Sequence, residues 1–243
     1  NSNEINGPKS TTDPSGVYAV TAPLGTHTLE VHNPLKQQNL GHNYLHLDSS
    51  SYAKTELVIQ SDSAGLWSGW IKATSTSSVP QTVFKIGNLQ LILQSNQRLS
   101  LQVNGTNVAT ASSALGQDWT FFAVAYDIDS FHCTLYVDSS FYVGTTSNLQ
   151  LNGNGSYMSF QGDLDLLEYR EGIFDASYVK SILKGSFIPD DHQRIRYAYH
   201  FEESPGPALR CLSSMGDARQ YALQCFGAVI DNIAPNPFTR QNK

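Results

Sequence analysis

The sequence predicts an all-β protein built as an antiparallel two-sheet sandwich with one short helix. Within its 243 residues, apolar and polar side chains alternate in many short runs, the pattern of strands that bury one face. Turn-forming residues such as Gly87-Asn88 and Asn104-Gly105 separate these runs. Closely spaced short strands with almost no helical periodicity are typical of a sandwich or a barrel.

The predicted strands extend from Val17 into the C-terminal quarter of the chain. They cover residues 17–20, 28–31, 44–47, 55–59, 67–71, 82–86, 89–93, 99–103, 121–126, 134–137 and 197–201. Three side chains of these strands, Trp70, Val124 and Leu135, are expected to point into the sandwich, and so is Leu164 further along the chain.

One segment, residues 175–184, has helical periodicity. Val179, Ile182 and Leu183 fall on one face of it. Asp175 is suited to cap the N-terminus of this helix, and Gly185 is suited to end it. We therefore expect one short helix after the last strand of the sandwich.

The composition allows a sizeable core and excludes several classes of partner. Hydrophobic residues make up 40% of the chain and aromatic residues 11%. Charged residues make up 15%, against about 25% in an average soluble protein. The net charge of −6 and the lack of a basic stripe argue against nucleic acid binding. No apolar run approaches the roughly 18 residues of a membrane helix, so no membrane insertion is expected.

The sparsely charged, hydroxyl-rich composition favours an extracellular or cell-surface location. The chain begins at Asn1 without an initiator Met or a signal segment, as expected of a mature protein or an excised piece of a longer one. Residues 1–15 are polar and aperiodic and are expected to form a flexible tail. The sandwich is expected over residues 16–190 and a C-terminal extension over 191–243.

The three cysteines suggest one disulfide and one free thiol. Cys211 and Cys225 are 14 residues apart, whereas Cys133 lies far upstream. An oxidising compartment favours a Cys211–Cys225 bridge, which would stabilise the fold by about 3 kcal/mol in the chain-entropy model. The alternative is three reduced, buried thiols. The spacing does not fit a zinc site.

Five segments of the chain resemble, in order, the landmark strands of one family. They are YLHLD at 44–48, WSGWIK at 67–72, DWTFFAVAYD at 118–127, LYVD at 135–138 and FQGDLDLLEY at 160–169. Residues 41–185 thus resemble the laminin-G/concanavalin-A-like jelly-roll family. Ser139 stands where this family usually has a glycine after the LYVD motif. The resemblance implies a two-sheet jelly roll.

The C-terminal extension contains a further segment that resembles this family. RYAYHFEESPG at 196–206 resembles the strand with which the family's domain usually opens. Residues 196–243 are therefore either the start of a second, tandem copy or strands that return to the first sandwich. The sequence leaves both possibilities open.

The resemblance implies a non-enzymatic extracellular module that takes part in carbohydrate binding or cell adhesion. Its partner would be a glycan or a protein at the cell surface. The alternative is a structural repeat unit of a surface assembly, whose partners are copies of itself or neighbouring units. Because proteins with this kind of fold have many functions, the function has to be inferred from the residues of the site.

A glycoside hydrolase is the enzymatic alternative. Asp163, Asp165 and Glu168 resemble the E-x-D-x-x-E motif of a glycosidase family with the same jelly-roll fold, in which a bulged strand points all three acids into the cleft. Retaining hydrolysis needs two carboxyl groups about 5–5.5 Å apart. Asp163 is one methylene shorter than the nucleophilic Glu of that motif. The laminin-G-like alignment instead places the leucines of the strand in the core and the acids outward, as a solvated or calcium-adjacent edge.

A calcium site is the second candidate, because laminin-G-like domains often hold one Ca²⁺ at the rim. Asp127 and Asp129 flank Ile128 in a predicted turn, and Asp138 lies on the next hairpin. Calcium prefers oxygen ligands such as these. The alternative is a solvated turn, in which Asp is favoured for its own backbone hydrogen bonds.

Two N-glycosylation sequons lie at predicted turns, at Asn104 and Asn154. They favour an extracellular location. Four aromatic residues are also candidates for stacking on a sugar, although such residues more often belong to the core or to a hairpin: Trp67, Tyr126, Tyr136 and Tyr142.

Overall fold

A computed structural model gives the structure of the chain. It describes residues 10–12, 18–20, 43–54, 63–74, 77–147, 149–151, 157–186, 188, 191–201, 206–208, 210–211 and 223–231. The chain divides into two compact units, Asn1–Asn33 and Pro34–Lys243. Two predicted strands, 28–31 and 55–59, and the sequon at Asn154 lie outside the described residues.

The first unit contains one described hairpin. Strands β1 (Ser10–Thr12) and β2 (Tyr18–Val20) pair antiparallel, with Thr11 opposite Ala19. Residues 10–12 belong to the segment 1–15 that was expected to form a flexible tail, and most of that segment lies outside the described residues. Backbone pairing with β2 fixes residues 10–12 as a strand.

The second unit contains two antiparallel sheets. Sheet I has the order β12-β11-β10-β5-β14-β3-β19-β16, and β15 pairs with β14 beside β3. Its strands are β3 (Tyr44–Leu47), β5 (Ala64–Ala73), β10 (Thr120–Asp127), β11 (His132–Val137), β12 (Ser140–Thr145), β14 (Gly162–Glu171), β15 (Ile195–Tyr199), β16 (Gly206–Pro207) and β19 (Val229–Asp231).

Sheet II has the order β17-β18-β4-β13-β6-β7-β8-β9. Its strands are β4 (Tyr52–Lys54), β6 (Gln81–Ile86), β7 (Leu89–Leu93), β8 (Leu99–Val103), β9 (Thr106–Thr110), β13 (Tyr157–Ser159), β17 (Arg210–Cys211) and β18 (Leu223–Phe226). The predicted all-β, two-sheet jelly-roll sandwich is confirmed, and the structure contains the predicted short helix together with a second one of four residues.

The main core lies between the sheets. Alternate residues of each strand point to opposite faces, so Trp67 of β5 and Phe84 of β6 meet between the sheets with their ring centroids 5.8 Å apart. Val124, Leu135 and Leu164 are buried in this core, as the sequence pattern predicted.

A second cluster of apolar side chains lies on the outer face of sheet I. Trp70 belongs to this cluster, together with Phe121 and Leu66. Trp70 was expected to point into the sandwich, but it points the other way, because it is three residues from Trp67 on the same strand. It is nonetheless buried, since residues after β14 cover this face.

Helix α1 (Ala176–Leu183) covers part of that outer face, and Val179 is its buried contact residue. The Asp175 side chain accepts from the backbone N–H of Tyr178, which caps the N-terminus as predicted. At the other end, Gly185 donates to Ile182 and Ser186 donates to Ser181 through backbone N–H groups. This is the Schellman pattern, and Gly185 supplies its positive φ of 62°.

A short second helix, α2 (Asp191–Arg194), leads directly into β15. In the described part of the chain, no helix has both the length and the apolar character needed to cross a membrane.

The described strands of the C-terminal extension belong to the two sheets. β15 pairs with β14, β19 pairs with β3, and β18 pairs with β4. The compact unit also continues to Lys243 without a division near residue 190. Of the two possibilities that the sequence left open, the structure has the strands returning to the first sandwich.

Candidate functional site

Three acidic side chains lie on the outer face of sheet I, along β14. We call Asp163, Asp165 and Glu168 the acid row. Asp165 lies opposite Trp70 of β5 and Glu168 lies opposite Ser68, so three steps on β14 match two steps on β5. This extra residue is a β-bulge, and it places Asp165 and Glu168 on the same face. Leu166 within the bulge has a φ of +49°.

Two members of the acid row are buried and the third, Glu168, is half-buried, contrary to the expectation of a solvated or calcium-adjacent edge. Asp163 is 3% exposed and Asp165 is 1% exposed. Leu164 and Leu167 point the other way, into the main core, as the laminin-G-like alignment predicted. The acids therefore face outward from the sandwich, but Asp163 and Asp165 are shielded from water, because apolar residues and helix α1 also occupy this face.

Asp163 is held by a histidine from the neighbouring strand. His46 Nδ1 lies 2.7 Å from Asp163 Oδ1, because β3 and β14 pair with these two residues opposite each other. Burial raises the pKa of Asp163, and the hydrogen bond from His46 only partly offsets this effect. Burial thus opposes the ionisation of the Asp163 carboxyl.

Glu168 is held by an arginine on the same strand. Arg170 Nη2 donates to Glu168 Oε2 at 2.7 Å, and His200 Nε2 lies 3.4 Å from Oε1. Burial alone would raise the pKa of Glu168, but the charge of Arg170 and the contact with His200 outweigh it and lower the pKa to about 2. Glu168 is therefore a carboxylate at neutral pH.

Arg170 joins the acid row to both helices. Its Nε donates to Asp191 Oδ1 of α2 at 2.9 Å, and its Nη1 donates to Ser68 Oγ at 3.1 Å. The Tyr178 hydroxyl of α1 donates to the same Asp191 carboxylate. Since Arg170 is itself buried, these contacts fix Glu168 within a network that connects β5, β14, α1 and α2.

This network does not suit Glu168 to the role of a general acid. A glycosidase needs one carboxyl group whose raised pKa lets it protonate the leaving oxygen. In the acid row, the pKa of Glu168 at the acid/base position is lowered, and that of Asp163 at the nucleophile position is raised. The directions are the reverse of those the reaction requires.

The three aspartates proposed as calcium ligands do not come together. Asp127 and Asp129 lie at one end of the β10–β11 hairpin, and Asp138 lies after the far end of β11. Six residues of β11 separate the two ends, a distance of about 20 Å. Within the residues that the structure describes, no group of three His, Cys, Asp or Glu side chains could hold a metal ion.

Asp127 and Asp138 instead stabilise the local backbone. Asp127 accepts from the Ser130 hydroxyl at 2.6 Å and from the Asp129 backbone N–H at 3.0 Å. The hydrogen bond from the Ser130 hydroxyl makes the largest contribution to lowering the pKa of Asp127. Asp138 accepts from the Phe121 backbone N–H at 3.0 Å. The bonds of Asp127 are those of a turn aspartate, the alternative that the sequence left open, whereas Asp138 bonds to the backbone of the neighbouring strand β10.

An open pocket of about 360 Å³ lies where the β9–β10 connection meets the β11–β12 hairpin. We call it the rim pocket. Most of its polar lining consists of hydroxyl groups and two carboxylates, supplied by Ser113, Asp118, Thr120, Asp138, Ser139, Ser140 and Tyr142. Its volume lies in the range of small-molecule binding sites.

Tyr142 is the aromatic residue of the rim pocket. Its hydroxyl lies 2.9 Å from Ser112 Oγ, and its ring packs partly against the main core. The other three aromatic residues considered for sugar stacking, Trp67, Tyr126 and Tyr136, are all buried. Tyr142 is therefore the one of the four that remains accessible to a ligand.

The two cysteines expected to form a bridge are adjacent and buried. Cys211 Sγ lies 3.4 Å from Cys225 Sγ, on the paired strands β17 and β18. This separation exceeds the roughly 2.05 Å of a disulfide bond, and both residues are thiols in this structure. The bridge stays a prediction. Cys133 is also a buried thiol, as the sequence predicted.

The Asn104 sequon lies at the exposed tip of the β8–β9 hairpin. Asn104 and Gly105 both have positive φ, at 51° and 75°, which fits a two-residue type I′ turn.

Sequence reasoning missed the network around Arg170 and the His46–Asp163 pair. His46 and Asp163 are 117 positions apart, so the register of β3 on β14 was needed to pair them. Sequence reasoning also missed the rim pocket. One signal was available: Ser139, which stands where the family that the sequence resembles usually has a glycine, is among the lining residues.

No protein-family model matches the sequence, and no curated protein matches it. Solved structures do resemble the fold. One is a protein from Bacteroides ovatus whose proposed role is carbohydrate binding, with a TM-score of 0.63 and 13% identity over 80% of this chain and 62% of that chain. The chain thus spans less than two thirds of that protein.

A second similar structure is a heptameric SAP-like pentraxin from Limulus polyphemus. It has a TM-score of 0.55 and 10% identity, over 81% of this chain and 98% of that chain. Both likenesses concern the fold, a two-sheet β-sandwich of the jelly-roll type.

Proposed function

We propose that this chain is a non-enzymatic glycan-binding module that works outside the cell or at its surface and holds a sugar in the rim pocket. The observation that carries the proposal is the pocket itself, in which Tyr142 and a set of hydroxyl groups line about 360 Å³ of open space. Sugar sites combine an aromatic surface with converging hydrogen-bonding groups.

The state of the acid row supports a binding role over a hydrolytic one. The Glu168 carboxylate is hydrogen-bonded to Arg170. Helix α1 packs on the face of sheet I where a hydrolase would need a substrate cleft. The proposed carbohydrate-binding role of the Bacteroides ovatus protein agrees with this reading. The order of the sequence landmarks further supports assignment of the chain to the laminin-G-like branch of the fold.

Calorimetric titration with a panel of neutral oligosaccharides tests the proposal. Tyr142→Ala should weaken binding by about tenfold, equivalent to about 1.4 kcal/mol, because it removes the aromatic wall. Phe141→Ala is the matched control, since Phe141 is 53% exposed and points to the other face of β12. Equal affinities in the two variants, with melting temperatures unchanged, would contradict the assignment of the pocket.

A structural unit that contacts copies of itself is the second candidate. Phe141 and Val143 are 53% and 57% exposed on β12, which is the terminal strand of sheet I in the described strand order. Exposed apolar side chains on an edge strand favour protein contacts. Light scattering of the native chain and of a Phe141→Ser, Val143→Ser variant tests it, and a monomer in both cases would speak against it.

A further inference from the structure

Six polar side chains lie next to one another across the outer face of sheet II. We call them the polar row, and the strand register aligns them from β17 to β8: Arg210, Gln224, Lys54, Lys85, Gln90 and Gln102. Strand β13 connects the two halves of the row, because Tyr157 pairs with Lys54 on one side and with Lys85 on the other. The row therefore crosses seven adjacent strands of the sheet.

The polar row points away from the main core. Its members have core residues beside them along each strand, such as Ala53 before Lys54 and Phe84 before Lys85. Successive residues of a strand point to opposite faces, so the side chains of the row lie on the outer face. Lys85 and Arg210 are exposed, and the other four are half-buried.

The polar row is basic, whereas the whole chain is acidic. The net charge of the chain is −6. In the strands of sheet II as the structure describes them, the charged residues are Lys54, Lys85 and Arg210, and none is an aspartate or a glutamate. The described ion pairs likewise include none of these three cations. This face is therefore complementary to a negatively charged partner.

Aromatic packing positions the central cation of the row. Lys54 Nζ lies 5.4 Å from the centroid of the Phe226 ring, within the range of a cation–π contact. The Phe226 ring in turn stacks on Tyr52, with the two centroids 4.5 Å apart. Because the ammonium group is held on a preformed platform, a ligand has little side-chain entropy to offset when it binds there.

The spacing of the three cations indicates the charge density of the partner. Arg210, Lys54 and Lys85 lie on every second strand of the row, and strands about 4.8 Å apart place these cations about 10 Å from one another. A nucleic acid strand carries one charge about every 3.4 Å, which is a much higher density. An extended disaccharide spans a length similar to the spacing of the cations, so a polysaccharide with one carboxylate in every second sugar matches the row.

We propose that the outer face of sheet II binds an extended acidic polysaccharide in which carboxylate-bearing sugars alternate with neutral sugars, with the polymer lying along the polar row. Lys54, Lys85 and Arg210 bind the carboxylates. The amides of Gln224 and Gln90 both donate and accept hydrogen bonds, which suits them to the hydroxyl groups of the neutral sugars. This inference goes beyond the proposed function, because no residue of the polar row lines the rim pocket.

A hyaluronan decasaccharide is the probe, because glucuronate alternates in it with the neutral N-acetylglucosamine. The matched control ligand is the same decasaccharide with its carboxyl groups reduced to alcohols. Titration calorimetry at neutral pH should show that the acidic form binds at least about tenfold more tightly than the reduced form. This difference should shrink as the salt concentration rises, since exposed charges are screened.

Lys54→Gln combined with Lys85→Gln tests the polar row itself. This double variant should weaken binding of the acidic decasaccharide by about tenfold or more. Lys180→Gln combined with Lys184→Gln is the matched control, because it removes the same charge from two exposed positions at the C-terminal end of helix α1, which packs on the other sheet. The control variant should keep the native affinity, and melting temperatures show that both variants are folded.

Three results would overturn the proposal. The first is equal binding of the acidic and the reduced decasaccharide, or no binding of either. The second is an equal loss of affinity in the two double variants, which would reflect the net charge of the chain rather than the polar row. The third is tighter binding of a single-stranded oligonucleotide or of a galacturonate oligomer, in which every unit is charged, because the spacing of the cations would then not select the alternating polymer.

Discussion

The guanidinium of Arg170 donates to the carboxylate of Glu168 at 2.7 Å, across one intervening residue of β14. Both side chains lie on the outer face of sheet I, and Arg170 is buried there. Its further donation to Asp191 Oδ1 at 2.9 Å ties the strand to helix α2. The contact therefore links the acid row to the packing of the helices.

Acid should weaken the fold through Glu168. The pKa of this residue is lowered in the folded chain from its ordinary value of 4.5 to about 2, so the ionised form stabilises the folded state. This contribution is complete above about pH 4.5 and is lost as the pH falls towards 2. Urea denaturation at neutral pH and at about pH 3 should show the loss.

Glu168→Gln should lower the free energy of unfolding at neutral pH by roughly 1.5–3 kcal/mol, the contribution of a hydrogen bond to a charged group. Glu171→Gln is the control, since Glu171 pairs with Arg196 on the exposed surface of the same sheet. Exposed pairs contribute roughly 0–1 kcal/mol. Equal losses in the two variants would show that burial does not strengthen the Glu168–Arg170 pair.

Removing the charge of Asp163 should affect the stability of the fold in the opposite direction to removing the charge of Glu168. Burial raises its pKa, so ionisation opposes folding, and the stability linked to this group increases as the pH falls through the folded pKa towards 3.8. Asp163→Asn should therefore keep or increase the melting temperature at neutral pH, because the amide still bonds to His46 without a charge. Asp163→Ala, which lacks that bond, should melt lower than Asp163→Asn, and the reverse order would refute this account.

The chain should not hydrolyse polysaccharides. Glu168 is a carboxylate held by Arg170 and has no proton to donate at neutral pH. A reducing-sugar assay on a polysaccharide panel should show no turnover by the native chain, by Asp163→Glu or by Glu168→Gln. Native turnover that disappears in Glu168→Gln would establish the glycosidase instead.

The cysteines should differ in reactivity. In an oxidising medium, Cys211 and Cys225 should form a disulfide, since their sulfur atoms are 3.4 Å apart, and the closed loop should add about 3 kcal/mol of stability. Burial raises the pKa of Cys133 to about 12, so its thiol should react only after unfolding. Mass mapping after alkylation without reduction decides this, and recovery of alkylated Cys211 and Cys225 would exclude the bridge.

Asn104 should carry an N-linked glycan when the chain passes through a eukaryotic secretory pathway. The residue is exposed at a hairpin tip, where an enzyme can reach its side chain. Treatment with a glycan-releasing amidase should reduce the mass of the native chain. Asn104→Gln should remove that site, and Asn154→Gln tests the second sequon separately. An unchanged mass of the native chain after this treatment would refute glycosylation at both sequons.

Local sequence patterns determined most of the strands and the helix. The alternation over residues 99–103 and the capping pair of Asp175 and Gly185 depend on neighbours within one element, so they can be recognised along the chain. The same patterns predicted that Leu164 faces the core. They placed Trp70 on the wrong face, because two tryptophans three residues apart in one strand cannot both point inward and the pattern did not decide which one does.

The tertiary structure alone decided the state of the acid row. Whether Glu168 shares a face with Asp165 depends on a bulge at Leu166, and how far the three acids are buried depends on the segments that pack on this face of the sheet. The sequence showed the three acids but not His46, Arg170 or Asp191 beside them. Carboxylate chemistry is governed by burial and by nearby charges, and both are properties of strand register and packing between distant segments.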